Sequence, residues 1–204
     1  MKSKDAARLV ALGVALALAE GLPLVLFTVT EPPQAREFRA SSAALTQLMK
    51  RLQARGGGEL RWIGVAEWQG RGAVHWHVVV AGSVYGRAWT SPRGRVYAGH
   101  PAEKRGWRVR KEADLRPIVE RYGFGKVFNV HALGVGEEDP AQDVARYLSK
   151  YLTKSADMAR LPKRAQPVRS SRGRTQWAPG YTLTGLRDER RDAARERAAV
   201  AEVA

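Results

Sequence analysis

The sequence has 204 residues, with 35 lysines and arginines against 20 aspartates and glutamates, and a formal charge of +15. Its hydrophobic fraction of 44% is enough for a folded core, and the length suits one domain with a tail. Because the chain has no cysteine, a disulfide-stapled scaffold and a thiolate nucleophile are excluded. The positive charge favours nucleic acid first among partners and an anionic membrane surface second.

The N-terminal segment, residues 1–30, is either a secretory signal or part of the fold. A basic start followed by the apolar run of residues 9–19 is typical of a signal. Asp5 interrupts the basic start, however, and the run ends at Glu20, well short of the ~20 apolar residues that span a bilayer. Glycine and proline at 21 and 23 then end a helix directly before a β-rich stretch. We therefore predict that this segment folds with the domain, in the cytoplasm and without a membrane partner.

Apolar periodicity and turn residues predict the elements that follow. In chain order they are a strand at 24–30, a helix capped by Ser41 or Ser42, a β-hairpin of strands at 60–68 and 73–81, a second hairpin or a loop at 83–107, a helix at 115–122, a strand at 126–133, and a helix from Asp139 to about Ser155. This order predicts an α+β fold, with a central, mainly antiparallel sheet flanked by helices.

The C-terminal part of the chain is strongly basic. No acidic residue lies between Asp157 and Asp188, and seven lysines and arginines accumulate there. We predict one domain over residues 1–157 and a basic tail, 158–204, that ends in a charged helix. Its arginines are expected to bind the backbone of single-stranded DNA, and three tryptophans in irregular segments are candidates for stacking on bases. The arginines are Arg169, Arg172 and Arg174. The tryptophans are Trp89 and Trp107, which precede the tail, and Trp177, which lies in it. Trp62, Trp68 and Trp76 are expected in the core.

A His-x-His motif lies in the second strand of the predicted hairpin. Strand alternation places His75 and His77 on one face and Trp76 on the other. In the first strand of the hairpin, Glu67 shares a face with apolar residues, so its carboxylate is expected across from the imidazoles. Mixed histidine and carboxylate ligands with open positions suit a divalent ion such as Mg²⁺ or Mn²⁺. Gln69 is an alternative third ligand, and partly buried strand histidines without metal are the structural alternative.

Two tyrosines and two lysines recur at helical spacing on the helix that follows Asp139. Tyr147 and Tyr151 are separated by one turn, as are Lys150 and Lys154. Tyrosines at the rim of a core are a common structural feature. Next to a metal site in a basic chain, however, a phenol can attack a phosphodiester while lysine offsets the negative charge.

Three motifs together resemble those of the rolling-circle replication initiators within the HUH endonucleases. Residues 27–30, Phe-Thr-Val-Thr, are similar to the first motif of this family. Residues 67–77 are similar to its E-x-Q-x-R-G-x-x-H-x-H block, and residues 147–151 to its two-tyrosine motif. The resemblance covers about residues 22–155. It implies a catalytic domain that nicks and rejoins one strand of single-stranded or supercoiled origin DNA.

The resemblance also implies roles for individual residues. Tyr147 would form a 5′-phosphotyrosine link and free a 3′-hydroxyl, and Tyr151 would carry out the second cleavage. Apart from the resemblance, Lys150 is expected to offset negative charge at the phenol and the phosphate, and Lys154 and Arg71 are expected to contact DNA. Since the chain has no G-x-x-x-x-G-K-[ST] motif, unwinding would need a host helicase beside the polymerase. No small-molecule cofactor is expected. The alternatives are a tyrosine transposase of the same superfamily and a non-catalytic single-stranded-DNA-binding module.

Overall fold

A computed structural model describes most of the elements that the sequence predicts. It describes residues 3–22, 24–32, 37–56, 59–69, 72–82, 88–90, 96–98, 115–125, 128–133, 144, 146–148, 150, 167–172, 176–181 and 185. The elements in chain order are α1 (Ser3–Ala19), β1 (Leu24–Thr30), α2 (Phe38–Gly56), β2 (Arg61–Trp68), β3 (Val74–Ala81), β4 (Ala88–Thr90), β5 (Val96–Ala98), α3 (Arg116–Arg121), β6 (Phe128–Leu133) and β7 (Val168–Ser170).

Five of the described strands form one antiparallel sheet. Their order is β6-β1-β3-β2-β7, so β3 lies at the centre with β1 and β2 on either side. β6 pairs with β1 and β7 pairs with β2. β4 and β5 form a separate antiparallel pair, which agrees with the hairpin alternative for residues 83–107. The protein therefore has the α+β fold that the sequence predicts.

Each face of the sheet has its own hydrophobic core, because successive residues of a strand point to opposite faces. α2 and α3 cover one face, where the buried residues include Phe27, Val29, Leu45, Leu52, Trp76, Val78 and Val119. α1 covers the other face, where the buried residues include Val10, Val14, Leu26, Val65, Val79 and Leu148. We call the first the Trp76 face and the second the His77 face.

The N-terminal helix α1 belongs to the core of the His77 face. Its residues Ala6, Val10 and Val14 are fully buried there. This is the arrangement expected of a segment that folds with the domain. Among the described residues, no helix is both long enough and apolar enough to cross a membrane.

Helix α2 begins at Phe38, before the predicted cap. Ser41 and Ser42 are buried inside the helix. Ser41 Oγ accepts a hydrogen bond of 2.8 Å from the indole nitrogen of Trp76, and Ser42 Oγ accepts one from Nε of Arg169. The prediction that either serine caps the helix is therefore wrong, because both hydroxyls are used in contacts with strands.

Strand β7 lies within the segment that the sequence assigns to the basic tail. It pairs with residues 63–65 of β2, and the backbone N–H of Trp62 donates to Ser171 Oγ over 3.0 Å. A strand of three residues with arginine at its centre has too little apolar alternation to be predicted from the sequence. Residues 168–170 thus belong to the sheet.

Candidate active site

Glu67, His75 and His77 lie on one face of the sheet, as the sequence predicts. In the pairing of β2 with β3, Glu67 is opposite His75 and Val65 is opposite His77. Residues opposite each other in an antiparallel pair point to the same face, as do residues two apart in one strand. The hairpin therefore brings the two imidazoles and the carboxylate together on the His77 face.

The imidazole of His75 is held by two polar neighbours. Its Nδ1 lies 2.6 Å from Oγ1 of Thr30 and 3.1 Å from Nε2 of Gln69. Thr30 is opposite His75 in the pairing of β1 with β3, so the register itself places this hydroxyl. When Nδ1 carries the ring proton, it donates to Thr30, and Nε2 keeps the lone pair that a metal ligand needs.

Sequence reasoning assigned no role to Thr30. In the sequence it is the last residue of the Phe-Thr-Val-Thr motif, which lies in β1. Its contact with His75 depends on the register between two strands that are distant in the chain, and a single sequence does not show that register. The alternation of threonines at 28 and 30 was the available signal, because it marks one polar face of the strand.

His77 lies between a carboxylate and a phenol ring. Its side chain is almost fully buried, and its Nε2 lies 3.4 Å from Oε2 of Glu67. The ring of Tyr147 meets the His77 ring edge to face, with 5.9 Å between the ring centroids. The His75 and His77 ring centroids are 4.6 Å apart. His77 is thus the residue that connects the tyrosine to the rest of the group.

Glu67 is paired with His77, and His75 lies beside this pair. The three side chains do not converge on one point as the ligands of a bound metal ion would. Within the described part of the chain, no three histidine, aspartate or glutamate side chains form a ready-made metal cluster. The donors nevertheless have suitable chemistry, since two imidazoles and one carboxylate are ligands for divalent ions, and Thr30 gives His75 the hydrogen-bonded partner at Nδ1 that is typical of a ligating histidine. Glu67 approaches His77 and Gln69 approaches His75, so both predicted alternatives for the third ligand lie at the histidines.

The helical segment that carries Tyr147 lies over the His77 face. Residues 144, 146–148 and 150 have helical backbone. Val144 and Leu148, one turn apart, are buried in the core that α1 covers, and Tyr147 packs half-buried against the same core. Lys150 is exposed. The apolar side of the segment therefore directs Tyr147 toward His77 and leaves Lys150 at the solvent boundary.

The predicted DNA-binding arginines are not all on the tyrosine side of the sheet. Arg169 of β7 is opposite Gly64, so it points to the Trp76 face, where it donates to Ser42. The sheet thus separates Arg169 from Tyr147. Arg172 is exposed just beyond β7. The remaining predicted site residues, Tyr151, Lys154, Arg71 and Arg174, lie outside the described residues.

Trp177 is not a surface for stacking on bases, and that prediction is wrong. Its side chain is 1% exposed, and its indole nitrogen donates to the backbone oxygen of Leu9 over 3.0 Å. The expected core positions of Trp62 and Trp76 are confirmed, since both are buried. Trp107 and the side chain of Trp89 lie outside the described residues.

Comparison with known proteins gives a match to a family model. A family model described as RepSA, replication initiator protein, pSAM2, matches residues 39–202. The matched part begins in α2 and includes Glu67, both histidines of β3 and the segment with Tyr147. No curated protein and no solved structure matches the chain.

Proposed function

The chain belongs to the RepSA family of replication initiator proteins, and on that premise we propose that it nicks and rejoins one strand of a plasmid origin through a tyrosine nucleophile. The observation that carries this proposal is the edge-to-face contact between Tyr147 and His77, with Glu67 3.4 Å from the same imidazole. A phenol beside a histidine and carboxylate group on a basic initiator protein has the parts needed for attack on a phosphodiester.

In the proposed reaction, Oη of Tyr147 attacks the phosphorus of the scissile phosphodiester. The bond between phosphorus and the 3′ oxygen breaks, which leaves a 5′-phosphotyrosine and a free 3′ end. The proton lost by the phenol is balanced by the proton gained by the 3′ oxygen. Lys150 lies about one helical turn from Tyr147 and adds positive charge near the phenolate and the phosphate. The 3′-hydroxyl then primes synthesis, and Tyr151 is assigned the second cleavage.

Glu67, His75 and His77 are proposed to hold a divalent cation, Mg²⁺ or Mn²⁺. When bound, such an ion would polarise the scissile phosphate and lower the barrier to attack. Thr30 keeps the His75 ring in place by accepting a hydrogen bond from its Nδ1–H, and the side chain of Gln69 lies beside the same nitrogen. We expect a His75→Ala, His77→Ala double variant to bind origin DNA but not nick it. Nicking of a supercoiled origin plasmid by this variant at the wild-type rate would contradict the assignment.

The proposed nucleophile is tested by covalent attachment to a labelled single-stranded oligonucleotide from the origin. With Mg²⁺ or Mn²⁺ present, wild-type protein is expected to give a labelled band that survives denaturing electrophoresis. Tyr147→Phe is expected to abolish the band. Tyr181→Phe is the matched control, because Tyr181 is another half-buried tyrosine packed against the core of the His77 face. DNA binding without any covalent product from wild-type protein would favour the non-catalytic binding module.

A further inference from the structure

A polar cleft lies along strand β7, away from the histidines. Its volume is about 590 Å³. Helix α2 forms one wall with Thr46, Lys50 and Gln53, and residues 168–172 form the other. The α2 residues recur at helical spacing, so they form a polar stripe beside the apolar stripe that packs on the sheet. The cleft is therefore a consequence of how α2 lies against β7.

The charged lining of the cleft is entirely positive among the residues that the structure describes. Lys50, Arg169 and Arg172 line it, together with hydroxyl and amide groups of Thr46, Gln53, Ser170 and Ser171, and no carboxylate. Lys50 and Arg172 are exposed. Cations surrounded by neutral hydrogen-bonding groups are suited to phosphodiesters, which offer one negative charge per nucleotide and several acceptor oxygens.

The cleft lies beside the row of paired residues that contains His77. His77 of β3 is opposite Val65 of β2, which in turn is opposite Val168 of β7. With strands about 4.8 Å apart, the row from His77 to Val168 covers roughly 10 Å. Leu9 of α1, on the His77 face, also lines the cleft, so the cleft reaches across the sheet edge from one face to the other. A DNA strand that reaches Tyr147 could thus continue into the cleft.

We infer that this cleft binds the sugar-phosphate backbone of single-stranded DNA that flanks the cleavage position. Its volume is in the range of sites for drug-sized molecules, which suits a short stretch of one strand and not a double helix. Grooves that follow a single strand combine such positive charge with tolerance of sequence. The inference rests on the proposed function in one respect, since it takes DNA as the substrate. It adds a second contact region that includes Lys50 of α2.

The inference is tested by binding of fluorescein-labelled oligothymidylate, followed by anisotropy over a range of salt concentrations with a chelator present. The cleft variant is Lys50→Glu, Arg172→Glu. The control is Arg51→Glu, Arg55→Glu, which makes the same change in net charge at exposed residues of α2 outside the cleft. Arg169 is left intact because it donates to Ser42 inside the fold. A labelled duplex of equal length is measured in parallel.

If two phosphate contacts are lost, the log–log salt slope for oligothymidylate should become shallower by about 1.4 in the cleft variant and stay nearly unchanged in the control. A Lys50→Gln, Arg172→Gln variant should shift the slope in the same direction, which covers the case in which the glutamates disturb folding. Equal slopes in the cleft and control variants would overturn the inference, as would weaker binding of the duplex alone. The assay measures binding and needs no cleavage. It therefore tests the cleft even if Tyr147 proves not to be the nucleophile.

Discussion

Replacing Gly13 of α1 with alanine should destabilise the protein, although alanine has the higher helix propensity. The indole of Trp177 lies against α1 at this glycine and donates to the carbonyl of Leu9, one turn earlier. A Cβ atom at position 13 would lie 2.6 Å from Cδ1 of Trp177 and closer still to Nε1 and Cε2. Since the indole is fully buried, it has little room to move away. Gly13→Ala is therefore expected to destabilise the protein.

The size of the effect follows from three contributions. Alanine gains about 1 kcal/mol over glycine in a helix interior. Overpacking a buried contact costs about 1–3 kcal/mol, and leaving the Trp177 N–H without its acceptor costs about 1–3 kcal/mol. The net expectation is a loss of about 3 kcal/mol in the free energy of unfolding. The exposed residue Ala15 of α1 offers a calibration, because Ala15→Gly should cost only the propensity, about 1 kcal/mol.

Denaturant unfolding followed by circular dichroism measures both variants against the wild type. The double variant Gly13→Ala, Trp177→Phe should be less destabilised than the sum of its single changes, because phenylalanine lacks the pyrrole ring that meets the new methyl group. A Gly13→Ala variant that is more stable than the wild type would refute the reasoning. That result would mean that Trp177 does not lie against α1 as described.

Two further predictions concern polar contacts of the sheet. Ser41→Ala removes the acceptor of the buried Trp76 indole and should lower the free energy of unfolding by about 1–3 kcal/mol. Thr46 is the control: its hydroxyl donates to a carbonyl one turn back in α2, and Thr46→Ala should change the free energy of unfolding by no more than about 0.5 kcal/mol. Equal losses for the two variants in urea unfolding would count against the Ser41 contact. The Arg61 guanidinium donates to both carboxylate oxygens of Glu20 at 2.8 and 2.7 Å, and this hydrogen bonding holds the pKa of Glu20 below its ordinary value. The stabilisation by Glu20 should therefore be complete above the unfolded carboxyl pKa of about 4.3 and be lost as pH falls through the lowered folded value. The difference in Tm between the wild type and Glu20→Gln should accordingly narrow on acidification. A difference that widens would contradict the pairing.

Much of the candidate site could be predicted because it depends on local rules. Alternation along β2 and β3 was enough to place Glu67, His75 and His77 on one face. Helical spacing likewise predicts that Val144 and Leu148 pack on the core, which orients Tyr147. Each of these inferences uses one hairpin or one helix and needs no knowledge of distant contacts.

The parts that the sequence did not predict depend on contacts between distant segments. Trp177 precedes Pro179 and Gly180 in an irregular segment, and it is buried where its indole packs against α1. Ser41 resembles a helix cap, but its hydroxyl is used by Trp76 of β3. Arg169 is predicted to bind DNA, and the face of the sheet to which it points follows from its pairing with Gly64. Tertiary packing overrides local preference in each case.

Identification of the residue that becomes linked to DNA tests the central claim most directly. The protein would be reacted with origin DNA from its own replicon, treated with nuclease and trypsin, and the linked peptide would be sequenced by mass spectrometry. Cleavage after Arg146, Lys150 and Lys154 yields Tyr-Leu-Ser-Lys for Tyr147 and Tyr-Leu-Thr-Lys for Tyr151, so the two tyrosines give distinct peptides. The first nick should leave a 5′-phosphate on Tyr147. Linkage to Tyr151 alone, linkage to any residue other than these tyrosines, or nicked DNA without any linked peptide would contradict the proposed chemistry.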